Sequence, residues 1–265
     1  MKITSLIENT SKCGLPSQHG LSLFIETSDR KKILFDTGQD GTFLNNAKTL
    51  GINISETDFA VISHGHYDHG GGLDALLKTK PEIKVYLHRD AFKPHYSLKP
   101  YGLKFIGLAP ALENFPQLTK CGGFFRISDS AFLFGCEKTD FPASEGSKLL
   151  FSAPEVPDVF PDEISLALKD AGKTFLFAGC AHKGIVNILE TYFSLTKKYP
   201  DFVFGGFHTA KSSEKEVHFL SEKISEYEKT VFYTMHCTGS KAFEILKENK
   251  NVRYFSCGES FETGG

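Results

Sequence analysis

The sequence predicts an α/β protein in which two mixed β-sheets form a sandwich and helices cover its outer faces. Three observations support this fold class. Short apolar or alternating runs bounded by turn residues predict strands, and amphipathic stretches between them predict helices. Each half of the chain also begins with strands and continues as an alternation of strands and helices. That order is typical of two sheets packed between two layers of helices.

The first half of the chain supplies strands and then a β-α-β-α-β alternation. The predicted strands are residues 3–7, 21–26, 32–35, 59–63 and 83–87. Helical spacing predicts helices over residues 42–50, which Gly51 ends, and over residues 73–77.

The regular alternation resumes at Glu163 after an irregular stretch. Strands are predicted at residues 164–168, 174–178, 202–204, 231–234 and 252–255, and helices at 185–195, 213–227 and 242–247. Most of the prolines fall between residues 89 and 161, where two alternating runs, 124–128 and 132–136, predict a hairpin or a meander. We therefore expect one domain over residues 1–265, with an irregular insertion on the substrate side at about 89–161.

Composition excludes several classes of protein. With 40% hydrophobic and 23% charged residues, the chain is neither disordered nor fibrous. A formal net charge of -2 provides no general attraction for nucleic acid or an anionic membrane, so a small molecule is the expected partner. The first ten residues lack the apolar core of a signal peptide, and the six cysteines show no C-x-x-C spacing. We therefore expect a reducing, cytoplasmic location.

The most informative segment is a histidine-rich turn at the end of a predicted buried strand. It reads Ser63-His64-Gly65-His66-Tyr67-Asp68-His69-Gly70-Gly71-Gly72. Imidazole nitrogens and carboxylate oxygens are donors that divalent ions prefer. In a tight turn His64 and His66 can point to one side, while Asp68 and His69 turn to a second point nearby. This spacing favours two adjacent ions over one, and fits a surface cluster or a set of core histidines less well.

Further ligands must come from other parts of the chain, because a single turn leaves a metal site open. Three histidines follow apolar strands beside glycine or small residues: His182, His208 and His236. This setting favours metal ligation by His182 and His236 over a structural role. For His208, a metal ligand, a substrate contact and a structural role are all open. His19, His88, His95 and His218 lack this position just after an apolar strand beside glycine or a small residue.

Other polar residues near these turns are candidates with two interpretations each. Asp36 ends a strand, and is either a partner for the ring N–H of a ligating histidine or a residue that starts a turn. Lys183 and Lys211 are either anion contacts or solvated charges. Thr238 and Ser240 lie where a helix is expected to begin after His236, so backbone N–H groups there are candidates for a phosphate contact.

With these residues in view, the chain resembles the metallo-β-lactamase superfamily. Its H-x-H-x-D-H signature appears as His64, His66, Asp68 and His69, and F-D-T-G precedes it at residues 35–38. Within the superfamily the chain is similar to the metal-dependent hydrolase group that contains the dihydropterin–(ribofuranosyl)aminobenzene phosphate synthase of methanopterin biosynthesis. Residues 179–187, 205–208 and 236–239 carry this closer likeness. The resemblance implies a four-layer αβ/βα sandwich with a two-metal site along the edge of the sheets.

The chain departs from the superfamily pattern around one strand. Members usually place a third histidine before this strand and a bridging aspartate after it. Here residues 163–168 contain no histidine, and Cys180 stands where the aspartate is expected. We expect His182 to supply the missing imidazole. For Cys180, a metal-bound thiolate and a buried inert thiol are both open.

The resemblance implies two divalent ions, with zinc as the first expectation and manganese or iron as alternatives. In this hypothesis His64, His66 and His182 hold one ion, and Asp68, His69 and His236 hold the other. Two such ions activate water and polarise a substrate oxygen. We therefore predict a hydrolase of phosphate esters or phosphodiesters, with Asp68 as a catalytic residue.

Two alternative functions use the same ligands. A synthase or transferase would condense a pterin-type phosphorylated substrate with a ribofuranosyl-aminobenzene phosphate. A non-catalytic scaffold would bind metal without turning over any substrate.

Overall fold

The computed structural model describes residues 1–263 as eighteen strands and six α-helices. The strands are β1 (Lys2–Ile7), β2 (Ser22–Glu26), β3 (Lys32–Phe35), β4 (Phe59–Val61), β5 (Lys84–His88), β6 (Tyr96–Lys99), β7 (Gly102–Phe105), β8 (Leu118–Cys121), β9 (Phe124–Arg126), β10 (Ala131–Gly135), β11 (Leu150–Ala153), β12 (Val156–Pro157), β13 (Ile164–Asp170), β14 (Lys173–Phe177), β15 (Phe202–Gly205), β16 (Val231–Thr234), β17 (Val252–Tyr254) and β18 (Ser260–Glu262). The helices are α1 (Thr42–Thr49), α2 (Tyr67–Gly70), α3 (Leu73–Thr79), α4 (Ile185–Thr196), α5 (Glu214–Ser225) and α6 (Ser240–Leu246).

Two seven-stranded mixed sheets form the sandwich. The first has the order β18-β1-β2-β3-β4-β5-β8, antiparallel as far as β3 and parallel from β3 to β8. The second has the order β9-β10-β13-β14-β15-β16-β17, antiparallel as far as β14 and parallel beyond it. The two halves therefore share one topology, as the order of predicted elements indicated.

Helices cover the outer face of each sheet, and the core lies in three layers. Apolar side chains of both sheets meet between them, where Phe35 of β3 contacts Phe177 of β14 with ring centroids 5.9 Å apart. A second cluster joins the first sheet to α1 and α3, and a third joins the other sheet to α4, α5 and α6. The fold class predicted from the sequence is thus confirmed. No helix within residues 1–263 is both long and apolar enough to cross a membrane.

The segment from 89 to 161 is more regular than its composition indicated. The predicted hairpin is present as β9 and β10, which pair antiparallel. A separate four-stranded sheet has the order β12-β11-β6-β7, and β8 extends the first large sheet beside β5. The sequence did not predict β6, β7, β8, β11 or β12, because each has only two to four residues, too few to show a clear periodic pattern.

Phe204 provides a test of the core between the sheets. Its ring is fully buried and lies 5.6 Å from that of Phe177 and 5.4 Å from that of Phe261. Phe204→Ala is expected to lower the free energy of unfolding by about 3–5 kcal/mol, because apolar contacts are lost and a cavity remains. Chemical denaturation measures this change. The control Phe124→Ala, at a half-exposed position, should change it by about 0.5 kcal/mol or less. Equal losses would contradict the assigned core.

Candidate metal centre

The six predicted ligands lie on loops that follow parallel strands of the two sheets. The segment after β4 carries His64 and His66, and α2 carries Asp68 and His69. His182 follows β14, and His236 follows β16. Loops at the carboxyl ends of parallel strands gather at one edge of a sheet, which is where open α/β sheets bind ligands. The sandwich therefore brings residues from distant parts of the chain to one place.

The first predicted set forms a compact triangle of nitrogens. His64 Nε2 lies 3.0 Å from His66 Nδ1 and 3.3 Å from His182 Nε2, and all three side chains are buried. A tetrahedral zinc ion about 2.0–2.1 Å from each nitrogen would separate neighbouring nitrogens by about 3.3 Å. The spacing of these three imidazoles therefore fits an ion held between them.

The second predicted set lies beside the first. His236 Nε2 is 3.2 Å from His69 Nε2 and 3.4 Å from Asp68 Oδ2. The rings of His64 and His69 are neighbours, with centroids 4.2 Å apart. The structure thus brings all six residues together, and His69 also lies at ligand spacing with His64 and Cys180.

The buried carboxylate of Asp36 orients one histidine of each set. It accepts hydrogen bonds from the backbone N–H of Ser63 at 2.7 Å, the hydroxyl of Ser63 at 2.8 Å and His69 Nδ1 at 2.7 Å. Because the Ser63 hydroxyl donates to Asp36, it accepts from His64 Nδ1 at 2.9 Å. In its neutral form each of these two imidazoles therefore carries hydrogen on Nδ1 and leaves Nε2 free for a cation, as ligating histidines require.

Protonation differs between the two sets. Burial lowers the pKa of His66 to about 4 and holds the pKa values of His64 and His182 well below their usual range. These three imidazoles are neutral at pH 7 and ready to bind a cation. Burial also opposes charge on His69, but the carboxylate of Asp36 outweighs it and raises the pKa of His69 to about 9. Metal binding at His69 is therefore expected to release a proton.

Two buried thiols lie beside the imidazoles. Cys180 Sγ is 3.1 Å from His69 Nε2, and it groups at ligand spacing with His64 and His69 and, separately, with His182 and His208. Burial raises the pKa of the Cys180 thiol well above its usual value. Cys237, which the sequence analysis did not select, groups with Cys180 and His236. Position alone therefore allows a metal-bound thiolate at Cys180.

His208 lies at the side of the centre. Its ring centroid is 4.2 Å from that of His182, and its backbone has a φ of +54°, an uncommon value for a residue with a side chain. Within the described part of the chain, its buried Nδ1 has no hydrogen-bond partner. Such strained and unpaired groups concentrate at functional sites.

An acidic pair stands where the superfamily usually has its third histidine. Asp162 Oδ2 accepts a hydrogen bond from the backbone N–H of Gly65 at 2.6 Å. Glu163 accepts from the backbone N–H groups of His182 at 2.6 Å and Lys183 at 3.1 Å. The two neighbouring carboxylates therefore join the loop of His64 and His66 to the loop of His182. Their position directly before β13 was visible in the sequence, but their partners were not.

Sequence reasoning missed two histidines of the centre. His19 Nε2 lies 3.1 Å from Asp68 Oδ2. His95 is buried beside His66 and bonds Asp158 Oδ2 through Nδ1 at 2.7 Å. Burial opposes its charge, but Asp158 and Asp162 outweigh it and raise the pKa of His95 to about 9. Neither histidine comes directly after a predicted strand, so the signal that selected the others was absent.

The remaining candidate residues, two lysines and two hydroxyl residues, differ in their positions relative to the cavity. Lys211 lines the cavity above the histidines, whereas Lys183 Nζ donates to the carbonyl of Cys136 at 2.7 Å and is absent from the cavity lining. The Thr238 hydroxyl is buried and accepts from the backbone N–H of Phe207 at 3.0 Å. Ser240 is exposed at the start of α6, a helix of seven residues.

The cavity over the centre has a volume of about 220 Å³. Its polar floor contains His66, Asp68, Cys180, His182 and His236. Its walls are apolar on one side and basic at two points, and are formed in part by Ile106, Leu149, Leu150, Lys99 and Lys211. Within the described residues, Asp68 is the one acidic residue of this lining.

The four-layer fold and the buried histidine centre define a metal-dependent protein of the αβ/βα class. The model of the metallo-beta-lactamase superfamily matches residues 17–221. The chain therefore belongs to the metallo-beta-lactamase superfamily.

Two similar proteins span nearly the whole chain. The chain is 30% identical to 7,8-dihydropterin-6-methyl-4-(beta-D-ribofuranosyl)-aminobenzene-5'-phosphate synthase of Methanocaldococcus jannaschii, over 94% of this chain and 91% of that protein. It is 28% identical to a metal-dependent hydrolase of the beta-lactamase superfamily whose crystal structure superposes with a TM-score of 0.86, covering 100% of both chains. The short form of human tRNase Z, 13% identical over 99% of both chains with a TM-score of 0.55, shares the fold.

Asp36→Asn tests the hydrogen bonds that orient the centre. The amide keeps one acceptor but places an N–H2 group against Ser63 or His69, so one bond is lost. We expect zinc affinity to fall by roughly 10–100-fold, the usual effect of removing a residue that hydrogen-bonds to a metal ligand. Competition with a chromophoric chelator measures this affinity. Asp74→Asn, at a residue of α3 paired with Lys78, is the control, and a similar loss there would contradict the assignment.

Proposed function

We propose that the protein is a dinuclear metal-dependent hydrolase that acts on a phosphate ester or phosphodiester. Two adjacent sets of buried ligand atoms on the floor of one cavity carry this proposal. His64, His66 and His182 would hold one divalent ion. The other would be held by Asp68, His69 and His236. When bound, such ions lower the pKa of water and polarise a substrate oxygen.

The donor types support zinc as the first expectation, with manganese or iron as alternatives. Imidazole suits all three metals, whereas a thiolate favours zinc. Cys180 Sγ lies within the ligand cluster, which supports an additional contact with an ion. His208 lines the cavity beside His182, which supports a contact with the substrate.

The chain's own residues orient the ligands and select the substrate. Asp36 and Ser63 hold the Nε2 atoms of His64 and His69 toward the other ligand atoms. Lys99 and Lys211 place positive charge on the walls, and opposite charge on a ligand is attracted there. The apolar wall excludes water from the remaining part of the ligand. This lining suits a small anionic molecule with an apolar body.

Asp68→Ala tests the assigned centre. The variant is expected to keep its circular dichroism spectrum. Its activity should fall by more than roughly 100-fold, the upper loss typical when a residue that hydrogen-bonds to a metal ligand is changed, because here a ligand itself is removed. The panel contains chromogenic phosphodiesters, phosphomonoesters, lactones and lactams, assayed with metal analysis of the same samples. Asp74→Ala is the control. Retained turnover in Asp68→Ala would refute the mechanism, and a metal-loaded wild type without turnover would favour a binding scaffold.

Lys99→Met and Lys211→Met test the basic walls. Each change is expected to raise KM for an anionic substrate by up to about fivefold, because a partly exposed charge pair contributes at most about 1 kcal/mol. The KM for a neutral lactone should not change. Lys169→Met is the matched control, because Lys169 is exposed on β13 and lies outside the cavity lining. Equal effects on charged and neutral substrates would argue against charge recognition.

A synthase or transferase is the second candidate function. It is favoured by 30% identity to a synthase over 94% of this chain. The same centre would then activate a pterin-type phosphorylated substrate for condensation with a ribofuranosyl-aminobenzene phosphate. Supplying both molecules and analysing the products by mass spectrometry separates the two functions. A condensed product indicates a synthase, and release of phosphate without condensation indicates a hydrolase.

A further inference from the structure

The loop between β1 and β2 places an unassigned imidazole against the second ligand set. His19 Nε2 lies 3.1 Å from Asp68 Oδ2, and its side chain is 56% exposed and lines the cavity. Its ring centroid is 4.7 Å from that of His236. The donor atoms of His19, Asp68 and His236 lie within 4.8 Å of one another. His19 is therefore either a further metal ligand or a hydrogen-bond donor to Asp68.

The neighbouring Asn9 distinguishes these two roles. Its Oδ1 accepts from the backbone N–H of Gly20 at 3.2 Å, and a backbone N–H can only donate, so the amide orientation is fixed. The same oxygen lies 2.8 Å from His236 Nδ1, which must then be the donor. His236 therefore carries hydrogen on Nδ1 and presents a free Nε2 to the ion.

The amide nitrogen of Asn9 imposes the opposite tautomer on His19. Asn9 Nδ2 donates to the carbonyl of His236 at 3.3 Å and lies 3.3 Å from His19 Nδ1. Since Nδ2 has no lone pair to offer, His19 Nδ1 accepts, and the hydrogen of the neutral ring is on Nε2. This hydrogen points to Asp68 Oδ2.

We propose that His19 is a positioning residue of the second ion site, held by Asn9 as the Nε2–H tautomer so that it donates a hydrogen bond to Asp68. The side-chain amide of Asn9 thus fixes the tautomers of both rings, so that His236 can act as a ligand and His19 as a hydrogen-bond donor. The inference rests on the proposed function only in taking Asp68 as a metal ligand.

The backbone holds this arrangement in place. Leu21 donates its N–H to the Asp68 carbonyl at 3.2 Å. Gly20 has a φ of +153°, and a Cβ there would lie 2.6 Å from the same carbonyl oxygen. Only glycine allows this approach without displacement. The loop is therefore fixed against the segment that carries Asp68, and His19 reaches the carboxylate from a defined position.

The first test measures the affinities of the two zinc ions separately, by competition with a chromophoric chelator. His19→Leu is expected to weaken the second ion by roughly 10–100-fold and to leave the first unchanged. His19→Gln, whose amide N–H2 can replace the Nε2 donor, should retain most of the affinity. His218→Leu, at an exposed position of α5, is the control. An unchanged second affinity in His19→Leu, or equal weakening of both ions, would overturn the proposal.

The second test observes the tautomer directly in the zinc-loaded protein. Nitrogen-15 resonances of labelled histidine should show His19 protonated at Nε2 and unprotonated at Nδ1. Asn9→Leu removes the Nδ2 donor that holds His19 Nδ1 as an acceptor, so the His19 resonances should show hydrogen shared between Nδ1 and Nε2, and the second affinity should fall. A metal-bound Nε2 at His19 in the wild-type protein would overturn the proposal.

Neither test uses a substrate, so their results are independent of the proposed reaction. Absence of phosphoesterase turnover would count against the proposed function and leave the His19 results intact. Uptake of a single ion by the wild-type protein would overturn the role of His19, whatever activity is found.

Discussion

The metal centre depends on one buried carboxylate, that of Asp36. The residue is completely buried with a φ of +59°, a conformation that costs of order 1–3 kcal/mol for a residue with a side chain. Three hydrogen bonds from Ser63 and His69 offset the cost of burying its charge. Through these bonds Asp36 decides which nitrogen of His64 and of His69 faces the other clustered side chains. A single side chain thus orients one histidine of each of the two groups.

Buried carboxylates also hold the loops of the candidate ligands to the rest of the molecule. Each loop has a backbone N–H that donates to a buried carboxylate from another part of the chain: Ser63 to Asp36, Gly65 to Asp162, His182 to Glu163 and His236 to Glu8, at 2.6–2.7 Å. Burial strengthens these hydrogen bonds, and an ionised acceptor strengthens them further. Burial also raises the pKa of Glu163 to about 7, so this acceptor is fully ionised only above neutral pH. The ligand positions therefore depend on these carboxylates as much as on the strands, which explains how His236 maintains a φ of +50°.

The close approach of the imidazoles has a physical consequence for folding. His64 Nε2 and His182 Nε2 are 3.3 Å apart, and burial holds the pKa values of both imidazoles well below their usual range. A hydrogen between these two atoms could satisfy only one of them as a donor, whereas a cation would bind both nitrogens. A bound ion would hold both loops in the folded chain, so metal binding and stability of the fold are linked.

The sequence by itself determined the fold class, the H-x-H-x-D-H turn and the strand-end positions of His182 and His236, because periodicity and local spacing carry that information. It left β6, β7, β11 and β12 undetected, since strands of two to four residues are too short to show a clear periodic pattern. Only the tertiary structure decided that His19 meets Asp68, that Glu163 holds the loop of His182, and which ring nitrogen each histidine presents. These properties arise from hydrogen bonds between segments that only the packed sandwich brings together, and no local pattern encodes them.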